Sequence, residues 1–229
     1  MANRCINEII IFRKERSCEA ERQLRDLYLK LILGMGRDER MWYGNLLTIH
    51  DHDDEDVEAR GDVMDVSWTE AGPDPIGCIH MTTDTAWEPQ IEVVEEMMEE
   101  YPNLDFVYLS EEPGCGVFIN SDMTGDYFTE YAKIDCSIEM IVDGESTWIE
   151  SEYFENEESF EEQVEADAKL LKAYAKRKGL PNFNWKAGLS GQELSEEISK
   201  YLNREDVQEK DKDKTLSSAW YHAAKFTVD

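Results

Sequence analysis

The chain has 229 residues, 52 acidic and 23 basic, with a formal net charge of −29. Its 41% hydrophobic and 10% aromatic content supplies the apolar mass that disordered acidic tails lack, and its length suits one or two domains with a real core. No apolar run approaches the roughly 20 residues that span a bilayer, no signal-peptide pattern opens the chain, and the charge disfavours attraction to nucleic acid or to an anionic membrane.

In chain order, the β-branched run Cys5–Arg13 predicts a buried strand. Ser17 caps a helix to about Leu33, with Leu24, Leu27, Tyr28, Leu31 and Ile32 on one face, and Gly34 and Gly36 end it. Met41–Ile49 reads as a short element, and His50–Asp56 as an acidic loop. Val63–Thr69 and Ile76–Thr83 read as strands joined by the Gly72–Pro75 turn. A helix follows from Pro89 to Pro102, with Ile91, Val94, Met97, Met98 and Tyr101 inward. Leu104–Ser110 and Gly114–Asn120 are the next strands. Residues 134–142 alternate as a half-buried strand, Asp143-Gly144 turns the chain, and Ser146–Tyr153 returns. Glu157–Lys178 is a long helix, acidic at its start and basic at its end, in agreement with the helix dipole. Ser190-Gly191-Gln192-Glu193 is a capping box for a helix to about Leu202. Glu205–Lys214 reads as a mixed-charge linker, and Trp220, Ala223, Ala224 and Phe226 as a short C-terminal docking helix.

The order β-α-insert-β-β-α-β through residue 110 predicts an α+β fold, a ferredoxin-like split βαβ antiparallel sheet with additional strands and C-terminal helices. The expected domains are 1–153, an α+β domain with an acidic insert near 37–61, and 154–229, a helical extension packed on it.

The charge is uneven. Residues 51–167 hold 36 acidic side chains and two basic ones, Arg60 and Lys133, whereas the flanking segments are slightly basic. A compact unit of that size has a diameter of about 35 Å, and 35 Å of duplex carries about 20 phosphate charges. The region therefore has charge enough to imitate a short duplex if its carboxylates gather on one side; otherwise the acidity only solubilises. Glu92, Glu95, Glu96, Glu99 and Glu100 are the first candidates for such a surface, because helical spacing groups them, and Asp53, Asp54, Glu55 and Asp56 come next.

Several stretches resemble a known family. Met1-Ala2-Asn3-Arg4-Cys5-Ile6-Asn7 before an apolar strand, Thr85-Ala86-Trp87-Glu88-Pro89 before a helix, Tyr101-Pro102-Asn103-Leu104 leading into a strand, and Glu112-Pro113-Gly114-Cys115-Gly116 together resemble a phage- and plasmid-borne family with a ferredoxin-like domain. The chain departs from it in carrying Arg4 in place of a Trp and only Val66-Ser67-Trp68 in place of a Trp-Gly-Thr-Lys-Trp-like stretch. The resemblance implies a mobile-element origin and a bacterial cytoplasm, and transfers no catalytic residues.

Nucleotide-loop, nucleophile-elbow and zincin fingerprints are absent, and the five cysteines form no C-x-x-C pair. They read as buried thiols of a reducing compartment, with Cys115 in a tight turn. His80 shares a strand face with Cys78 and Thr82 and reads as a satisfied sheet histidine rather than a base, and Trp68 and Trp87 as core. No catalytic residue, metal ligand or cofactor is expected. The reading that follows is a non-enzymatic acidic protein binding a basic surface of a host protein, such as a nucleic-acid-binding defence protein, as a DNA mimic or anti-defence inhibitor. Two alternatives accompany it. One is a structural or regulatory accessory protein whose acidity is only solubilising and whose partner surface is apolar, near Trp220 and Phe226. The other is a cation-dependent enzyme using His50–Asp56, a run that lacks the Gly and distal Glu of an EF-hand loop.

Overall fold

A computed structural model describes residues 3–36, 40–48, 59–70, 72–142, 145–180, 183–184, 186, 188–210 and 219–228. The predicted loop His50–Asp56, and with it Asp53, Asp54, Glu55 and Asp56, lies outside them. The chain divides into two compact units, residues 1–129 with 227–229, and residues 130–226. The protein is α+β, and no helix among the described residues is long and apolar enough to cross a membrane.

The first unit contains β1 (Arg4–Arg13), α1 (Cys18–Met35), β2 (Met41–Trp42), α2 (Asn45–Thr48), β3 (Gly61–Thr69), β4 (Cys78–Ala86), α3 (Glu92–Glu99), β5 (Leu104–Glu112) and β6 (Val117–Asn120). Its six-stranded sheet has the order β2-β3-β4-β1-β5-β6, and every neighbouring pair is antiparallel. The odd-numbered residues of β1 face the helices. Ile9 and Ile11 join Leu24, Leu27 and Leu31 of α1, Ile79 and Met81 of β4, and Val93, Val94 and Met97 of α3 in one core. Ser17 caps α1, as its sequence predicts, by accepting from the Ala20 N–H. Gly61 opens β3 at φ +149°, where a Cβ would lie 2.0 Å from the Asp84 carbonyl oxygen, so this close approach of two strands requires glycine.

The second unit contains β7 (Ala132–Val142), β8 (Glu145–Ile149), β9 (Glu152–Phe154), α4 (Glu157–Lys178), α5 (Gly191–Leu202), α6 (Glu205–Lys210) and β10 (Trp220–Lys225). β7 is the hub, pairing antiparallel with β10, β8 and β9. Its buried set, Ala132, Ile134, Cys136, Ile138 and Met140, meets Phe160, Val164, Ala168 and Leu171 of α4 and Leu194 and Ile198 of α5. Asn156 caps α4, Gly179 ends it in the left-handed region, and Ser190 and Glu193 form the expected capping box of α5.

The C-terminal elements and the unit boundary differ from expectation, and Ile32, expected on the apolar face of α1, is exposed. Trp220–Lys225 is a strand rather than a docking helix, because Tyr221 and Ala223 pair with Cys136 and Ile134 and bury a period-2 face. The mixed-charge segment begins with α6, whose Val207 is buried. The division falls at 129/130 rather than at 153/154, because residues 132–154 supply the sheet on which α4 packs.

Candidate protein-binding surface

α3 buries Val93, Val94, Met97 and Met98, each worth about 1.5–3 kcal/mol when fully withdrawn from water. That fixes the helix rotation and leaves Glu92, Glu95, Glu96 and Glu99 as an i, i+3, i+4, i+7 stripe. Glu92, Glu95 and Glu99 are exposed, as is Glu100 just beyond the helix, and Glu96 is half-buried. The structure thus brings the five predicted glutamates together. Like charges at these spacings cost only about 0.2–0.5 kcal/mol per pair, so burial wins. Glu99 and Glu100 also stand at the C-terminal end, where the helix dipole disfavours anions.

No ion pair engages Glu92, Glu95, Glu96 or Glu99 among the described residues. α1 differs: Arg22 pairs with Glu19 at 2.5 Å, Arg25 with Glu21 at 3.0 Å and Lys30 with Asp26 at 3.1 Å. On α4, Lys169 pairs with Glu165 at 2.9 Å, and Lys225 of β10 pairs with Glu157. Among the described residues, the α3 stripe is therefore an un-neutralised acidic face.

The opposite face of the six-stranded sheet carries His80. Its Nε2 lies 2.5 Å from Glu8 Oε2, which also accepts from the Thr82 hydroxyl at 3.0 Å. Burial pushes the Glu8 carboxyl up, but the bonds from His80 and Thr82 outweigh it and hold it below its usual range; the bond to Glu8 raises His80. The Glu8 carboxylate occupies His80 Nε2, so the geometry fits the satisfied sheet histidine. Trp68 is half-buried against Tyr28, and its indole N–H donates to the Ile76 carbonyl at 3.1 Å. Trp87, expected in the core, is half exposed at φ +72°. Cys5, Cys78 and Cys136 are buried thiols, whereas Cys18 and Cys115 are exposed.

Three of the four stretches that carry the resemblance, the opening segment, Thr85–Pro89 and Glu112–Gly116, converge. The Trp87 N–H donates to the Asn3 carbonyl at 3.1 Å, and the Asn3 amide reaches Cys115 Sγ at 3.8 Å. Asn7, fully buried, donates to the hydroxyls of Thr83 and Thr85 at 3.0 Å each, and Thr85 donates to the Glu88 carbonyl at 2.6 Å. The network pins β1, β4 and the turn before α3 together.

Sequence reasoning missed a second acidic feature, in the other unit. A cleft of about 730 Å³ lies between the 148–152 corner and α4, with Asp167 in its wall. Asp167 is buried and accepts from the Gln163 amide and the Tyr221 hydroxyl, both at 2.9 Å. The signal was present: Asp167 falls on the buried stripe of α4 between Val164 and Ala168. Burial pushes its carboxyl up to about 6, against the pull of Tyr221 and Gln163, and the charge of Glu152 adds to the rise. A carboxyl raised in the folded state is most favourable to stability when protonated, and it costs stability as pH climbs from about 4 through 6. Asp167→Asn should therefore gain about 2 kcal/mol on the parent between pH 4 and pH 7. Urea denaturation of both proteins across that range checks it, and a pH-independent difference refutes it.

Comparison of the chain with protein-family models, with curated proteins and with solved structures finds no match.

Proposed function

We propose that this is a non-enzymatic binding protein that uses the α3 face against a basic surface of a host protein. The observation that carries the reading is the un-neutralised stripe Glu92, Glu95, Glu96 and Glu99, continued by exposed Glu100. From residue 92 to 99 the helix rises roughly 10 Å, over which duplex DNA presents about six phosphate charges. Four or five carboxylates over that length are a comparable array for Lys and Arg side chains that ordinarily bind phosphate. A nucleic-acid-binding defence protein is the class of partner this fits, with the protein acting as a DNA mimic or anti-defence inhibitor. The mobile-element origin and bacterial cytoplasm rest on the resemblance of the Asn3-to-Asn7, Thr85-to-Pro89 and Glu112-to-Gly116 stretches. For the first unit we infer a ferredoxin-like split βαβ topology; the strand order β3-β4-β1-β5, with α1 and α3 in the crossovers, supports it.

The experiment is capture from a bacterial lysate at low and high salt, followed by binding isotherms with the protein that elutes. Reversing Glu92, Glu95 and Glu99 to Lys is expected to weaken binding by at least about 30-fold, roughly 2 kcal/mol over three charge contacts, and to flatten the salt dependence. Unchanged affinity and salt slope in the triple variant refute the reading. The accessory-protein alternative, in which acidity only solubilises, expects an apolar surface near Trp220 and Phe226; Trp220 is half exposed but Phe226 is buried, and the exposed apolar group that favours it is instead Leu29, Ile32 and Leu33 of α1. It predicts a partner retained at high salt and lost on Leu33→Glu.

A further inference from the structure

The cleft of the second unit holds a pattern distinct from the α3 stripe. Its walls include Trp148, Glu150 and Glu152 from the corner between β8 and β9, and Gln163, Asp167 and Leu170 from α4. Three carboxylates line it and, among the described residues, no Lys, Arg or His does. Its volume, about 730 Å³, is that of a small-molecule or side-chain pocket. Trp148, a lining residue, is half exposed.

The second, independent observation is Asp167 itself. It is only 3% exposed, and its two bonds come from neutral donors, Gln163 and Tyr221. Among the described residues no cation pairs with it. A carboxylate taken out of water without a counter-charge is costly, and each of its oxygens keeps an acceptor site after accepting one bond. Burial has already raised its proton affinity, the response of an anion that lacks a cation nearby.

We propose that this cleft binds a guanidinium group, the side chain of an arginine presented by a partner, stacked on Trp148 and hydrogen-bonded to the carboxylates of the cleft. A planar guanidinium presents a flat face to an aromatic ring and a fork of N–H donors to carboxylates. Leu170 gives its methylene stem an apolar surface. An ammonium matches the charge without the fork or the stacking plane. The assignment does not depend on the α3 reading: the cleft lies in the other unit, and its test needs no identified partner.

The test uses the full chain labelled with ¹⁵N and titrated with Nα-acetyl-arginine amide at pH 7.5 and low salt. The Trp148 indole N–H and the Gln163 side-chain amide should shift saturably with a millimolar Kd. Nα-acetyl-lysine amide should bind roughly fivefold more weakly, and the neutral norleucine amide should leave both signals in place. Trp148→Ala and Glu152→Gln, both changes at exposed positions, should each weaken arginine amide by roughly fivefold. Asp167→Asn should weaken it further while the remaining spectrum stays as in the parent. The proposal is overturned if neither signal moves by about 50 mM ligand, if norleucine amide moves them equally, or if Trp148→Ala binds as the parent does. Equal affinity for the lysine and arginine amides overturns the guanidinium assignment.

Discussion

Arg13→Met is expected to destabilise the protein by about 3–5 kcal/mol, the usual result of removing one member of a buried ion pair. Arg13 ends β1, and its guanidinium side chain is 4% exposed. Its Nε donates to Asp74 Oδ2 at 2.7 Å and its terminal nitrogen to Oδ1 at 2.6 Å, a bidentate pair. Asp74 Oδ1 also accepts from the Ile76 N–H at 3.1 Å, so the pair fastens the turn between β3 and β4 to the end of β1. Without Arg13, Asp74 remains as a buried anion, and that orphaned charge dominates the cost. Asp74→Asn leaves the converse problem, a buried guanidinium that cannot lose its proton. The double variant should therefore cost less than the sum of the singles by about 2 kcal/mol or more. The sign with pH follows from Asp74: the Arg13 hydrogen bonds hold its carboxyl below the usual aspartate value despite burial. Its contribution is present above about pH 4 and is lost as pH falls through the lowered folded value. The parent should lose stability over that acid limb and Arg13→Met much less of it. Urea denaturation at pH 7 and pH 3 measures both effects, and a cost under about 1 kcal/mol for Arg13→Met shows that the pair behaves as a solvated one.

The elements that sequence made legible are those whose signals are local. Ser17 and Ser190 mark helix starts by accepting from a backbone N–H three residues on, and Glu193 by accepting from the Ser190 N–H three residues back. The β7 alternation and the glutamate stripe of α3 follow from periods of 2.0 and 3.6. β10 was misread because Trp220, Ala223, Ala224 and Phe226 fit a helical turn as well as a strand. What decides is the pairing of Tyr221 with Cys136, 85 positions away, which no local window contains. The same holds for sites. The α3 face needs only one helix, so spacing found it. The Glu8–His80 contact joins residues 72 apart, and the Asp167–Tyr221 contact residues 54 apart; topology alone brings these together. The unit boundary was missed for a related reason: residues 132–154 are strands, like those before them, and only their packing partners, α4 and α5, assign them to the second unit.

Asp122→Ala is expected to cost about 3 kcal/mol, because one carboxylate organises a whole loop of the first unit. Oδ1 accepts from the Thr124 N–H at 3.0 Å, the Thr124 hydroxyl at 2.7 Å and the Gly125 N–H at 3.1 Å. Oδ2 accepts from the N–H groups of Tyr127 at 2.7 Å and Phe128 at 3.0 Å. Asn120 completes the frame, accepting from the Asp122 N–H at 2.9 Å and donating to the Phe128 carbonyl at 3.1 Å. The ring of Tyr127, so positioned, stacks on Phe12 with centroids 4.8 Å apart. Bonds to a charged acceptor contribute about 1.5–3 kcal/mol each. They are not additive, and Thr124 and Gly125 regain water when the loop opens, whereas the buried Phe128 N–H does not. Asn is a poor substitute here. Whichever way its amide turns, an NH₂ group faces N–H donors that a carboxylate accepts, so Asp122→Asn should cost nearly as much as Ala, about 2–3 kcal/mol. Burial raises the Asp122 carboxyl, but the bonds from Thr124, Phe128 and Tyr127 pull it below its usual value. Its contribution is thus fully present above about pH 4 and declines as pH drops through the lowered folded value. Hydrogen exchange should localise the effect, with Tyr127 and Phe128 amides losing protection in both variants while those of Ile9 and Ile11 at the centre of β1 follow only the global change. If Asn retains full stability and protection, the carboxylate's second oxygen is dispensable and the loop is held by its ring stacking instead.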